Sequence, residues 1–197
     1  MKVLIACEFS GTVRDAFTEQ GHDALSCDLL PTDSPGPHHQ GDVLEILRDG
    51  WDLMIAHPPC IYLCSGGFNW LNRRPEWRPN RELAVQFFME LINAPIKRIA
   101  VENPIGHMNT RYRKPDQIVR PWMFGHGYRK DICLWLKNLP LLQPTNIVKG
   151  RKLLDFWSDK RVIDGKSQKS ITFRGVAEAM ADQWGSHKLY NYQETLE

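Results

Sequence analysis

The sequence lacks the long apolar segments that membrane insertion or export would need. No apolar run in the 197 residues approaches the ~18–20 residues of a membrane-spanning helix. The apolar N-terminal run, residues 1–7, is too short for the core of a signal peptide, and Glu8 follows it directly. We therefore interpret these residues as the first strand of an intracellular, cytoplasmic protein with no membrane partner.

Cysteines are also few, and their spacing forms no familiar pattern. The chain has five, an odd number, and no C-x-x-C pair, so a disulfide framework is not expected. His57, Cys60 and Cys64 lie close in sequence, but no fourth zinc ligand accompanies them. We predict no metal site.

A strong charge of one sign is absent as well. The formal net charge is +2, which by itself does not identify a nucleic-acid-binding protein. The basic residues are nevertheless grouped, and each group is either ordinary solvated surface or a face that contacts phosphates. The groups are Arg73, Arg74, Arg78 and Arg81; Arg111, Arg113, Lys114, Arg120, Arg129 and Lys130; and Lys149, Arg151, Lys152, Lys160, Arg161, Lys166 and Lys169.

The chain does contain an alternation of short apolar runs and helical periodicities, which predicts an α/β protein. Its length predicts one domain over residues 1–197. The proline- and glycine-rich stretch 31–41 and the excursions 66–80, 105–128 and 138–170 are expected to be loops. Strands are predicted at 3–7, 24–27, 53–56, 98–101 and 131–136, and helices at 11–21, 43–47, 81–92 and 176–184.

Polar and nucleophilic residues follow the predicted parallel strands at their carboxyl ends. These segments are Glu8–Gly11, Asp28, His57–Cys60 and Glu102–Pro104. Because ligands bind at this edge of open α/β sheets, we predict a functional site there.

Gly11 and Asp28 in these segments, and Asp42 further along the chain, each have both a ligand-binding and a structural interpretation. Gly11 opens either an ordinary turn or a loop that brings a ligand to the free N–H groups of a helix. Asp28 either bonds a ribose hydroxyl or caps local structure. Asp42 either caps the short helix after it or accepts a hydrogen bond from an adenine amino group.

Cys60 and Glu102 suggest covalent chemistry on a heteroaromatic base. Pro58 and Pro59 stop the strand and fix the direction of Cys60, in a rigid turn that can favour the thiolate. Glu102 either pairs with an arginine or, as a carboxylic acid, protonates a ring nitrogen and so makes the adjacent carbon electrophilic. Asn103 is held out of helical geometry by Pro104.

The ordered motifs "FSG", an acid after the second strand, "GD", "PPC" and "ENP" resemble those of DNA cytosine-5 methyltransferases, and more closely the short methyltransferase-like proteins of bacteriophage genomes. The resemblance covers residues 1 to about 104. It implies a Rossmann-like methyltransferase sheet with helices on both faces, duplex DNA as the partner and, for a phage protein, the host cytoplasm. Residues 173–185 are the candidate counterpart of the family's last cofactor motif.

The resemblance also implies residue roles. Cys60 would attack C6 of cytosine, Glu102 would contact N3 and the amino group, and Asn103 would position them. S-adenosylmethionine would bind near Phe9, Ser10, Gly11, Asp28, Asp42 and Pro58. The DNA substrate would be met by Pro59, Arg111, Arg113, Arg129 and Lys130.

The chain also departs from the family pattern. Ile61, Tyr62 and Leu63 stand where the family has a glutamine before its serine, and little chain remains for a separate target-recognition domain. Two alternatives therefore stay open. One is an inactive DNA-binding or decoy protein with this fold, and the other is an enzyme acting on single-stranded DNA or free pyrimidine nucleotides.

Overall fold

A seven-stranded sheet forms the centre of the protein. The computed structural model describes residues 1–65, 73–149 and 172–186, and the backbone of three two-residue strands beyond residue 149. In spatial order the sheet runs β3-β2-β1-β4-β5-β8-β6, in which the first five strands are parallel and β8 is antiparallel to both of its neighbours. The strands are β1 (Lys2–Ala6), β2 (Asp23–Asp28), β3 (His38–Gln40), β4 (Leu53–Ala56), β5 (Arg98–Asn103), β6 (Gln117–Val119) and β8 (Ile132–Lys137).

Small strand pairs complete the described β-structure. β7 (Tyr128–Arg129) pairs in parallel with β9 (Lys152–Leu153), and β10 (Val162–Ile163) pairs antiparallel with β11 (Lys166–Ser167).

The described helices cover both faces of the sheet, as predicted. α1 (Thr12–Glu19) and α4 (Arg174–Gly185) pack on one face, where Ile5 and Ile55 point. α2 (Arg78–Ile92) packs on the other, where Leu4 and Met54 point. The remaining helices are α3 (Met108–Arg111) and the 3₁₀ turns Val43–Glu45, Pro75–Trp77 and Pro121–Met123.

The predicted α/β class with a Rossmann-like sheet is confirmed. The chain goes outward from β1 to β2 and β3, then returns to β4 on the other side of β1. The strand order therefore reverses between β1 and β4, which is the position where doubly wound sheets open a crevice for ligands.

Some local predictions were wrong. Residues 38–40 were expected to be loop but form the edge strand β3, which pairs with β2. The ring of His38 lies 2.9 Å from Ser26 Oγ and 3.0 Å from the Leu30 carbonyl, and these contacts hold the strand in place. The predicted helix at 43–47 is a single 3₁₀ turn, and the predicted loop 105–128 contains α3 and β6. The excursions 66–80 and 138–170 lie partly outside the described residues, and the one-domain prediction stays a prediction.

Among the described residues, no helix is both long and apolar enough to cross a membrane.

Candidate active site at the carboxyl edge of the sheet

The register of the parallel strands brings the predicted site residues to one edge. Ala56 at the end of β4 lies beside Ala6 of β1 and Val101 of β5. One residue further along, His57 and Glu102 therefore become neighbours, and the Cys60 turn follows directly.

The Cys60 turn is compact. Pro58 is buried, whereas Pro59 and Cys60 are exposed. The carbonyl oxygen of Cys60 accepts hydrogen bonds from the backbone N–H groups of Leu63 (3.0 Å) and Cys64 (2.8 Å). Residues 60–64 thus form one helical turn that begins where the two prolines end the strand.

The loop after β5 holds this turn by backbone contacts. The Leu63 carbonyl accepts from His107 N–H at 2.6 Å. The Ile105 carbonyl accepts from Ser65 through its N–H (3.2 Å) and its hydroxyl (2.6 Å). Gly106 allows the approach, because a Cβ there would lie 2.8 Å from Cys64 Cα and would collide with the Leu63 carbonyl. The turn and the loop therefore act as one rigid unit.

Asn103 locks the two halves of the unit together. Its side chain is 1% exposed and its Nδ2 donates to the Pro58 carbonyl at 2.9 Å. Because Pro58 and Pro59 are conformationally stiff, this bond transmits the position of β5 to Cys60. The positioning role of Asn103 stays a prediction, and this hydrogen bond is the contact through which it would act.

Glu102 is partly buried and paired with a histidine, not with the arginine of the structural alternative. His57 Nδ1 lies 3.4 Å from Glu102 Oε2. Burial alone would raise the pKa of Glu102, but the His57 hydrogen bond and the positive charge of Lys130 outweigh it, so the pKa is lowered. Glu102 is therefore ionised in the free protein.

The thiol of Cys60 is protonated in the free protein. Its pKa is raised, first by the desolvation that its neighbours cause, then by Cys64 and Glu102, while Lys130 acts in the opposite direction. The expectation that the turn favours the thiolate is therefore wrong for the ligand-free protein. A substrate or a proton acceptor has to activate this cysteine.

The loop after β1 is built around a carboxylate. Glu8 is 5% exposed and accepts hydrogen bonds from the backbone N–H groups of Val13 (2.7 Å) and Arg14 (3.2 Å). Ser10 Oγ lies 3.2 Å from Glu8 Oε1, and Gly11 takes a left-handed φ of 74°. Glu8 thus occupies N–H groups of α1 that the ligand-loop alternative at Gly11 would need to be open. Phe9, the other residue predicted here, is buried.

Asp28 and Asp42 converge near the end of β1. Both raise the pKa of Cys7, behind the larger effect of its burial, so both carboxylates lie close to that thiol. Asp28 accepts from Leu30 N–H at 2.9 Å, and Asp42 accepts from Leu44 N–H at 3.0 Å as the predicted cap. Each bond uses one carboxylate oxygen.

The predicted cofactor, S-adenosylmethionine, has groups that match the chemistry of these residues. Ribose hydroxyls and an adenine amino group are donors that match the two carboxylates, and the acidic environment suits a sulfonium cation. Leu29 and Leu30, directly after Asp28, are exposed and offer apolar surface to a base.

Arg14 fixes the loop beside this crevice, a role that the sequence reasoning missed. The side chain is fully buried, and its guanidinium ties α1 to β2 and to residues 32–35. Its acceptors are Asp15, Ser26 Oγ, Thr32 Oγ1 and the carbonyls of Ser34 and Pro35.

The predicted cationic residues separate into different environments. Lys130 lies close enough to Cys60 and Glu102 for its charge to act on both pKa values. It adds to the lowering of the Glu102 pKa and partly offsets the raised pKa of Cys60. Arg113 instead pairs with Asp116 at 2.8 Å and donates to the Leu136 carbonyl, which is a structural role.

The other two predicted cations are exposed. Arg111 lies 3.8 Å from Glu82 and lines a groove of about 660 Å³ against α2. Arg129 belongs to β7. Within the described part of the chain, no cluster of His, Cys, Asp or Glu side chains could hold a metal ion.

No protein-family model and no curated protein matches the chain. One matching solved structure is described as a DNA modification methyltransferase encoded within a prophage of E. coli, with 15% identity and a TM-score of 0.48 over 74% of this chain and 51% of that one. Another is the Dnmt2 methyltransferase of S. pombe, with 13% identity and a TM-score of 0.44 over 79% of this chain and 52% of that one. The chain thus spans about half the length of both structures.

Proposed function

We propose that the protein is an S-adenosylmethionine-dependent methyltransferase that acts on C5 of cytosine in DNA through a covalent bond to Cys60. The observation that supports this most directly is the meeting of Cys60, Glu102 and Lys130 at one strand edge. Glu102 and Lys130 both act on the pKa of Cys60, and Lys130 also acts on the pKa of Glu102. A nucleophile, an acid and a cation within one rigid unit are the parts that addition to a pyrimidine ring needs.

The first step joins Cys60 to the base. The sulfur attacks C6, and the electron pair of the C5–C6 double bond moves into the ring. Glu102 delivers a proton to N3, which neutralises the charge that would otherwise accumulate there. Asn103 keeps the distance between the two groups fixed through Pro58.

The proton needed for this step is already in the site. The free protein carries it on Cys60, because the pKa of that thiol is raised, whereas Glu102 is ionised because its pKa is lowered. In the adduct the sulfur is bonded to carbon and N3 holds the proton. In the proposed step the thiol proton would pass by way of the Glu102 carboxylate to N3, which balances the protons without a further acid.

The cofactor would lie between the ends of β1, β2 and β4. Asp28 and Asp42 would accept hydrogen bonds from its ribose and adenine, the loop Phe9–Gly11 would contact its amino-acid end, and Pro58 would border the reacting centre. When bound, S-adenosylmethionine supplies an electrophilic methyl group to C5. Loss of the C5 proton and of the Cys60 sulfur then restores the aromatic ring.

DNA would reach the site with the target base turned out of its stack, at a cost of a few kcal/mol in a duplex. Lys130 would meet the substrate beside Cys60, with Pro59 and the exposed Arg129 and Arg111 around it. The arrangement of Arg113 makes it a support for the strands, not a contact with the base.

Labelled methyl transfer tests the proposal. Wild type and Cys60→Ala are compared on duplex DNA, single-stranded DNA and free cytidine nucleotides. We expect incorporation into duplex DNA by the wild type and none by the variant. Methyl incorporation only into single-stranded DNA, or only into free nucleotides, would identify that molecule as the substrate in place of duplex DNA. Salt-dependent DNA binding with no incorporation in any pool would favour the inactive DNA-binding alternative.

A further inference from the structure

His57 is a buried histidine in contact with the candidate acid. It follows β4, and its backbone N–H donates to the Ala6 carbonyl at 2.9 Å, which continues the pairing with β1. Its side chain is only 8% exposed, and its Nδ1 lies 3.4 Å from Glu102 Oε2. Its Nε2 is buried and has no hydrogen-bond partner among the described residues.

This arrangement is costly for a purely structural residue. A buried imidazole usually satisfies both ring nitrogens, since an unpaired buried polar atom costs about 1–3 kcal/mol. Here one nitrogen is unpaired and the other makes a long contact. Because Glu102 is ionised, the imidazole has to be the donor in that contact.

We propose that His57 is a positioning residue for the reaction: its imidazole holds one oxygen of Glu102 and directs the other toward the base. This inference rests on the proposed function. The sequence placed His57 in the segment His57–Cys60 at the functional edge and gave it no individual role other than that of a candidate metal ligand. The signal that was available is a polar residue directly before the "PPC" turn, at the end of a buried strand.

The groups that face Glu102 come from several elements. His57 follows β4, Cys60 lies in the turn after it, Lys130 precedes β8, and Cys133 lies opposite Asn103 on β8. Lys130 acts on the pKa of Glu102 through its charge, whereas His57 acts through both a hydrogen bond and its charge. Removal of His57 should therefore both release the carboxylate and make it easier to protonate.

The first arm of the test does not depend on activity. The side-chain carboxyl signal of Glu102 is followed by ¹³C NMR through a pH titration in wild type, His57→Leu and His57→Gln. We expect the midpoint to rise by about one pH unit in His57→Leu and by less in His57→Gln, whose amide can still donate. His22→Gln is the matched control, because His22 precedes β2 at the opposite edge of the sheet. An unchanged midpoint in His57→Leu would overturn the inference.

The second arm measures methyl transfer. We expect kcat to fall about 10- to 100-fold in His57→Leu while the KM for DNA changes little, since misplacing a reacting group slows the chemistry. The acid side of the pH profile should move upward with the NMR midpoint, and His57→Gln should recover part of kcat. His57→Gln also serves if the leucine variant fails to fold. An unchanged pH profile in both variants would overturn the inference. Absence of methyl transfer by the wild type would instead overturn the proposed function. The NMR titration would still show whether His57 holds the Glu102 carboxylate.

Discussion

Gly106→Ala is the substitution that tests the rigid unit around Cys60 most simply. The added Cβ would lie 2.8 Å from Cys64 Cα and 2.9 Å from the Leu63 carbonyl carbon, both backbone atoms. A flexible side chain could turn away, but backbone cannot, so the loop after β5 has to separate from the Cys60 turn. The hydrogen bonds from His107 N–H to Leu63 and from Ser65 to Ile105 would lengthen together.

The expected loss follows from these contacts. Overpacking of this kind costs about 1–3 kcal/mol of folding free energy, and a displacement near 1 Å costs about 100-fold in rate. Urea unfolding and labelled methyl transfer measure the two effects. Gly50→Ala is the control for the rate: its left-handed φ of 76° makes it lose stability through backbone strain, but its Cβ meets nothing within 4 Å and leaves the Cys60 turn in place, so its rate should stay at the wild-type value. The reasoning fails if Gly106→Ala keeps wild-type stability and rate.

Three further predictions concern protonation, capping and charge. The kcat/KM profile should be flat between the pKa of Glu102, which lies below its usual value near 4.5, and that of Cys60, which lies above its usual value near 9. The rate falls on the acid side because the pair then holds two protons, and on the alkaline side because it holds none; a profile rising steadily through pH 9 would contradict this. Glu8→Ala should lower the free energy of unfolding by about 1–2 kcal/mol in urea titrations, since α1 loses its capping carboxylate; an unchanged midpoint would contradict that role. Lys130→Met should raise both the acid-side and the alkaline-side pKa of the pH profile, because the charge of Lys130 acts to lower both. Arg113→Met should lower the melting temperature and leave the KM for DNA unchanged. The reverse pattern would show that the roles of the two cations were assigned wrongly.

The strand ends could be predicted from the sequence because short apolar runs are a local signal. The polar residues that follow them, such as Asp28 and Glu102, then have to meet wherever parallel strands share an edge. The two prolines before Cys60 were equally informative, since proline restricts the backbone whatever surrounds it. These features depend on residues that are neighbours in the chain.

Other features depended on distant partners and could not be predicted. β3 is rich in histidine and follows prolines, and it becomes a strand only because β2 offers an edge. The protonation of Cys60 depends on how much water the folded chain removes from it and on Glu102, which is remote in sequence. Arg113 resembled a base-binding residue in a basic cluster until Asp116 and Leu136 were seen beside it.

The central claim is that Cys60 forms a covalent bond with cytosine, and trapping on a 5-fluorocytosine duplex in the presence of S-adenosylmethionine measures it directly. Fluorine at C5 blocks the loss of the proton that would release the enzyme, so the adduct accumulates. Cys64→Ala is the matched control, because Cys64 lies one helical turn away and belongs to the same rigid unit. We expect a denaturation-resistant protein–DNA complex with wild type and Cys64→Ala and none with Cys60→Ala. A complex that persists in Cys60→Ala, or that is absent from the wild type while methyl transfer proceeds, would contradict the account.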